Sequence, residues 1–553
     1  MSEPSAQDLP PFETHRVGPV PPAFEPRDLW ADDIALREGV ARGGADGYRD
    51  GLQGYARLAG DELYRLGFDA NRDRPRLRTH DRHGQRIDTV EFHPAYHRLM
   101  ELAKAHGVAG LSWHRPGAGA GAHVARAALS YLHHQVEAGT SCPLTMTHAA
   151  VPVLRREPSL RDWADKAAAP HYDPRDVAAS EKAGITLGMG MTEKQGGSDV
   201  RANATTATPL ASGDGYALVG HKWFFSAPMS DGFLVLAQAP GGLTCLLMPR
   251  RLPDGAKNAF RLMRLKDKLG DWANASSEVE FCGALAWRVG EEGRGVATII
   301  EMVMLTRLDC MLGAAAEVRM ALAQALHHAR HRVAFGRPLA AHPLMANVLA
   351  DLAIESEAAT ALALHVAALV DAAPSDPHAA ALARVATAAG KYWLCRRAPA
   401  VVNEAQECLG GAGYVEESIL PRLYRQAPLN SIWEGSGNIQ CLDVLRALSR
   451  EPACAQALQA TLARAAARHP LLEHEAARLG AGLAGGGDGV EAQARALVER
   501  LALVLQGAVL LEAGSPLAEA FLRSRLGGEH GQALGTLPVD IDFGPILARA
   551  LPR

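Results

Sequence analysis

The chain has 553 residues, 48% of them hydrophobic and 21% charged, and a formal net charge of -4. This is globular material, enough for roughly three to four domains, and it excludes a disordered chain and any global pull toward nucleic acid or anionic membrane. The eight cysteines show no C-x-x-C or metal-ligand spacing, so buried thiols in a reducing compartment, the cytoplasm, are expected. The N-terminal stretch lacks a basic segment followed by an apolar one, and no run of about 18 uninterrupted apolar residues occurs, so neither export nor membrane insertion is expected.

In chain order, Leu29 to Val177 carries helical periodicity, as in "AYHRLMELAKAHGVAGL", and predicts a helical N-terminal domain over 1–183. From Gly184 the pattern switches to short β-rich runs separated by turn signals such as Asp214-Gly215 and Pro240-Gly241-Gly242. These predict a β domain, 184–286, of antiparallel strands in a small barrel or sandwich. From Gly293 long helical units return, apolar on more than one face, and predict a bundle over 287–448 that packs on itself and on other subunits. An Ala/Leu/Arg-rich tail, 449–553, is broken by "GAGLAGGGDG" and contains the apolar "LALVLQGAVLLEAG", so a further helical domain is expected. The fold class is therefore mainly α with a central β domain.

Where helix gives way to strand lies "GMGMTEKQGGSDV", beginning at Gly188. Its hydroxyls and glycine amides suit close approach of a planar or phosphorylated ligand, and equally suit a glycine-rich turn with a Ser-Asp cap. No G-x-G-x-x-G is completed, which disfavours a dinucleotide-binding parallel sheet. His327, His328 and His331 share a helix, but no carboxylate or cysteine completes a metal set, and no metal is expected.

Five motifs in order, "MTEKQGGSD" at Met191, "GHKWFFSAP" at Gly220, "RVAFGRPL" at Arg332, "CLGGAGY" at Cys408 and "SIWEGSGNIQCLDVLR" at Ser431, resemble those of the acyl-CoA dehydrogenase family. Within it they are most similar to a branch of flavoproteins acting in the adaptive response to DNA alkylation. The likeness extends to "EFHPAYH" at Glu91 and "QVEAG" at Gln135 and thins out after Ser449.

The resemblance implies that family's fold, with an extra helical C-terminal domain, and FAD as cofactor. Met191, Thr192, Gly197 and Ser198 would form the flavin loop. Phe224, where most members carry a stacking Trp, and Ser226 would meet the ring, with Trp223 a weaker candidate. Arg332 and Phe335, with Gly410 and Gly411, would reach the FAD of a neighbouring subunit, implying a homotetramer built as a dimer of dimers. Ser436 and Asn438 would follow as FAD contacts. Glu434 stands where the family carries its catalytic base; another branch places an acid at the position of Thr306, and none is present there. Arg307 would orient Glu434 or depress its pKa by ion pairing, while a carboxylate at this place would also favour the start of the following helix.

The implied activity is dehydrogenation of an acyl-CoA or related thioester, together with duplex DNA binding in the alkylation response. The alternative is a dehydrogenase of short or branched acyl thioesters with no DNA role. Arg446, Arg450, Arg523 and Arg525 are the DNA-contact candidates, although Arg450 to Arg553 holds ten Arg, no Lys and eleven Asp plus Glu, a poor balance for phosphate neutralisation.

Overall fold

The computed structural model describes residues 27–114, 119–213, 215–484 and 488–552, together with 14, 18 and 20–24. Asp214 of the predicted turn, residues 485–487 of the glycine-rich stretch and most of the Pro-rich start lie outside these.

The N-terminal helices are α1 (Ile34–Arg42), α2 (Arg49–Leu58), α3 (Tyr64–Arg72), α4 (Pro94–Ala105), α5 (Ala122–His134), α6 (Ser141–Arg155) and α7 (Arg161–Ala168). Asp33 and His93 cap α1 and α4 through their side chains, and Pro94 opens α4 where its missing N–H costs nothing. Helical periodicity did not reveal one element here. Strands β1 (Arg76–His80) and β2 (Arg86–Glu91) form an antiparallel hairpin. Within it Arg78 pairs with Glu91 and Arg86 with Asp88. The buried Asp88 also accepts from Lys257 Nζ at 2.7 Å and Arg86 Nη2 donates to Leu262 O at 2.9 Å, so the hairpin belongs by packing with the β region.

That region comprises β3 (Leu187–Gly190), β4 (Thr206–Pro209), β5 (Tyr216–Ser226), β6 (Gly232–Ala239), β7 (Gly242–Pro249), β8 (Phe260–Leu265) and β9 (Ser276–Val289). Neighbouring strands run β6-β4-β5-β9-β7, and β7 pairs again with β6, so five strands close on themselves, with β3 and β8 added beside β6 and β9. The closure removes open edges from a small sheet. It is not wholly antiparallel: β6 pairs in parallel with both β3 and β4. Inward alternation along the strands stacks Phe225, Phe233, Phe260 and Phe281 in the barrel core.

The bundle follows: α8 (Gly295–His331), the short strands β10 (Val333–Ala334) and β11 (Arg337–Pro338), α9 (Pro343–Ala372), α10 (Pro377–Glu407), α11 (Leu420–Gln426) and α12 (Gly437–Arg450). By length and composition alone α9 could cross a membrane, but 72% of its apolar window is buried inside the fold. A helix apolar on every side needs that cover. The tail adds α13 (Pro452–Ala466), α14 (Pro470–Ala484), α15 (Asp488–Ala492), α16 (Ala494–Glu512), α17 (Ala518–Arg525) and α18 (Phe543–Ala550).

The tail docks on α9 through buried acids. Arg525, on α17, pairs with Asp351 and, at 3.0 Å, with Glu355; His530 approaches Asp351 at 2.7 Å, and Arg549 reaches Glu357 at 2.7 Å. Burial alone would raise the Asp351 pKa, but the hydrogen bond from His530 and the charge of Arg525 outweigh it and hold it at about 2. Replacing Arg525 by Leu removes one cation from each of two buried carboxylates, leaving Asp351 to His530 and Glu355 to Arg397, and should make denaturant unfolding easier by about 1.5–3 kcal/mol, the usual worth of a hydrogen bond to a charged group. Because the Asp351 pKa is depressed, its stabilisation is present above its unfolded value near ~3.9 and disappears as the pH falls from there toward about 2. An Arg525→Leu protein as stable as wild type at neutral pH would mean that the tail is anchored elsewhere.

Candidate active site

The reactive centre is assembled where the loop before α12 meets α8. Glu434 has φ +58° and Gly435 φ +94°, two consecutive left-handed residues. At Gly435 a Cβ would stand 2.7 Å from Gln440 Nε2, so glycine is required there on two counts. Glu434 has no such exemption and its conformation costs on the order of 1–2 kcal/mol. Side-chain donors over-determine it. Arg307 Nε and Gln440 Nε2 donate to Glu434 O at 3.1 and 3.0 Å, and Gln440 Nε2 and Lys391 Nζ donate to Gly435 O at 2.9 Å each. The turn aims the Glu434 carboxyl at α8, where Thr306 Oγ1 donates to Oε2 at 2.7 Å.

Two expectations are corrected here. Arg307 forms no ion pair with the Glu434 carboxylate: its Nη1 goes to Asp443 Oδ2 at 2.6 Å, so it orients Glu434 through the backbone. Accordingly the Glu434 pKa is raised, not depressed: burial pushes it up by more than the Thr306 hydrogen bond and the charges of Lys391 and Arg307 pull it down. Nor does Glu434 cap α12, whose N-cap is Ser436. Position 306, which lacks the acid of the other branch, holds a donor to the acid at 434. Cys142, on α6, also faces this centre; burial pushes its thiol up to about 12, with the charge of Lys268 opposing that, those of Asp271 and Glu434 adding to it, and the Ser226 hydroxyl opposing it least. No spacing in the sequence pointed to Cys142.

On the barrel side, the loop after β3 carries Met191, Thr192, Gly197 and Ser198. Trp223 N donates to Thr192 O at 2.8 Å and ties the loop to β5. Below it is an ion pair that sequence reasoning missed. Lys222 and Glu193 have fully buried side chains 2.8 Å apart, with Glu193 also accepting from Ala204 N and Thr205 N and Lys222 donating to Leu236 O. Above it the donors are open: Gly197 and Ser198 are exposed, and a Cβ at Gly197 would sit 2.4 Å from Thr192 Oγ1. A register shift in β5 between Lys222 and Phe225 places Trp223 and Phe224 side by side. Lys266 covers Trp223 at 3.5 Å, while Phe224 stays 53% exposed. Ser226 Oγ lies 3.3 Å from Ser276 Oγ.

The other predicted positions are elsewhere. Arg332 caps the far end of α8, about 37 Å along the helix axis from Arg307. There Arg332 and Gly411 line a cavity of about 760 Å³ with His327, His328, Tyr64 and Phe68. Phe335 is 96% exposed, and Gly410 and Gly411 have open space where a Cβ would be. Ser436 is exposed at the start of α12, and Asn438 Oδ1 accepts from Arg495 of α16 at 2.8 Å. Of the four arginines proposed for DNA, Arg446 and Arg450 are exposed. Arg523 is engaged by Glu529 and Asp540, and Arg525 is buried in the tail anchor, which corrects its reading as a surface contact.

A helical domain, a closed barrel and a helical bundle around such a carboxylate define a class, and the chain belongs to the acyl-CoA dehydrogenase family, a family of FAD-dependent oxidoreductases. Residues 188–283 match the acyl-CoA dehydrogenase middle domain and 293–449 its C-terminal domain, while 20–174 match the N-terminal domain of the adaptive response protein AidB. The chain is 44% identical over 527 residues to AidB of Escherichia coli (strain K12), covering 95% of this chain and 96% of that one. It is 31% identical over 401 residues to acyl-CoA dehydrogenase family member 11 of Caenorhabditis elegans, covering 70% and 64% of the two chains. The structure of C. elegans ACDH-11 in complex with C11-CoA superimposes with a TM-score of 0.84 at 25% identity, covering 95% of this chain and 93% of that one, and Bd2924 in its apo form with 0.81 at 28%, covering 89% and 99%.

The donor set fits the family's cofactor. Thr192, Ser198 and Ser226 supply hydroxyls, Gly197 lets the Thr192 hydroxyl stand where a Cβ would collide with it, and Phe224 offers a half-exposed ring that Lys266 approaches at 4.6 Å.

Proposed function

We propose that this chain oxidises an acyl-CoA thioester, with Glu434 taking the proton from the carbon next to the thioester. The observation that carries the reading is a half-buried carboxyl, raised in pKa, on a residue locked by four donor contacts into a left-handed turn. Bound FAD supplies the acceptor for the hydride that leaves the next carbon. Thr192, Ser198 and Ser226 would hold the ring and Met191 and Phe224 would cover it, while Trp433, packed on the apolar cluster that includes Met146, Met302 and Val303, would limit access of water to the carboxyl. The C. elegans relative was solved with C11-CoA, so the substrates to be tried run from short and branched to medium-length acyl chains. The test is anaerobic bleaching of the protein's flavin by such a series; absence of bleaching by every member ends this reading.

The separation of Arg332 from Arg307, at opposite parts of α8, supports an assembly in which Arg332, Phe335, Gly410 and Gly411 serve a neighbour's FAD, a dimer of dimers, with Ser436 and Asn438 as further contacts. We place it in the cytoplasm, consistent with eight cysteines that are all free thiols.

The motif resemblance also supports a role in the response to DNA alkylation with duplex binding. The positions of the arginines set its expected size. With Arg523 and Arg525 engaged, Arg446 and Arg450 remain, so log K should fall against log salt with a slope near ~-2 per chain, about 0.9 per phosphate contact. A salt series with a fluorescent duplex checks this: Arg446→Glu with Arg450→Glu should abolish binding and leave the flavin in place. Absence of duplex binding by the wild type at low salt removes the DNA role.

A further inference from the structure

Thr306 Oγ1 has one hydrogen and two acceptors within reach: Glu434 Oε2 at 2.7 Å and Val303 O, three residues earlier in α8, at 3.0 Å. It can donate to only one of them at a time. While Glu434 is a carboxylate, the charge makes Oε2 the better acceptor, since a hydrogen bond to an ionised group is roughly twice as strong as a neutral one. Once Glu434 is protonated on Oε2, it becomes the donor, Thr306 Oγ1 accepts, and the threonine hydrogen turns to Val303 O.

We infer that Thr306 is a positioning residue that keeps Glu434 hydrogen-bonded in both its base and its acid form, by rotating one hydroxyl between Oε2 and Val303 O. The inference rests on Glu434 being the base. It requires no movement of heavy atoms, which suits a residue with 2% exposure in a helix clamped on all sides. The proton balance is closed: the substrate C–H bond breaks, its proton goes to Glu434, its electron pair stays with the substrate as the double bond forms, and Thr306 ends with the single proton it began with.

Thr306 favours the charged form of Glu434, so its loss should make the carboxyl harder to ionise. The other groups facing the carboxyl are Arg307 and Cys310 on α8, Lys391 on α10 and Cys142 on α6. Arg307 is paired with Asp443, Lys391 donates to Gly435 O, and burial holds both thiols neutral. The acidic limb of the pH profile therefore reports Glu434.

The test compares wild type with Thr306→Val, Thr306→Ala and Thr306→Ser in the flavin-loaded protein. Activity needs the carboxylate, so in the Val and Ala variants the acidic limb of bleaching against pH should move upward by about one pH unit, a roughly tenfold change in the ionisation constant. The Ser variant should restore the wild-type limb. Infrared difference spectra between acid and alkaline pH give an independent readout: the protonated-carboxyl band that disappears in Glu434→Gln should titrate higher in Thr306→Val. If Glu434→Gln still bleaches like wild type, the base lies elsewhere and both readings fall. If Glu434→Gln is inactive and Thr306→Val and Thr306→Ala titrate as wild type, or Thr306→Ser titrates with them, the role of Thr306 alone is overturned.

Discussion

Replacing Glu434 by Gln is expected to abolish acyl-CoA-dependent bleaching while the protein stays yellow and folded. Loss of a general base costs at least ~10²–10⁴-fold in rate; position 306 is threonine, and Asp443, the acid nearest along α12, is held by Arg307 and Arg384. Gln preserves the shape of the side chain and can still accept from Thr306, so the left-handed turn, set by donors to Glu434 O and Gly435 O, should survive. Stopped-flow absorbance under anaerobic conditions measures the effect, and flavin content per chain guards against loss of cofactor. A variant that bleaches within about threefold of wild type would assign Glu434 to structure alone.

The second large effect is expected at the base of the flavin loop. Lys222 and Glu193 are fully buried, and each satisfies the other along with backbone groups that close the loop onto β5 and β6. Lys222→Met fills the same space but leaves the Glu193 charge uncompensated, so unfolding should become easier by about 3–5 kcal/mol. Burial by itself would raise the Glu193 pKa, but the Lys222 hydrogen bond and those from Thr205 and Ala204 hold it down at about 2. Its folded pKa lies below its unfolded one, so the pair stabilises above the unfolded value near ~4.3 and loses that contribution as the pH falls from there toward about 2; the gap between variant and wild type should narrow over that window. The double variant Lys222→Met with Glu193→Gln should recover most of the loss, since removing both charges avoids the unpaired one. Denaturant unfolding of the flavin-loaded protein reads all three. A single variant within about 1 kcal/mol of wild type would show that water or a backbone group takes over from Lys222.

The order of helix, barrel strands and helix was legible from the sequence because periodicities of 3.6 and 2 are local properties, and the five motifs and the lone acid at 434 were legible because they are contiguous strings. The hairpin of β1 and β2 was not, because its alternating charges look like a solvated helix face until Lys257, 169 residues away, is placed against Asp88. Charge is where tertiary structure decided most. Arg525 looked like a surface arginine beside Arg523, and only the packing of α17 on α9 shows it buried between Asp351 and Glu355. Arg307 looked like the partner of Glu434 because the two share a neighbourhood, yet its guanidinium spans to Asp443 and leaves the carboxyl to burial and Thr306. The physical reason is common to these cases. A side chain's identity is written in the sequence, but its solvation and its partner depend on residues more than a hundred positions away, and those two quantities determine whether a charge is an anchor, a base or a surface contact.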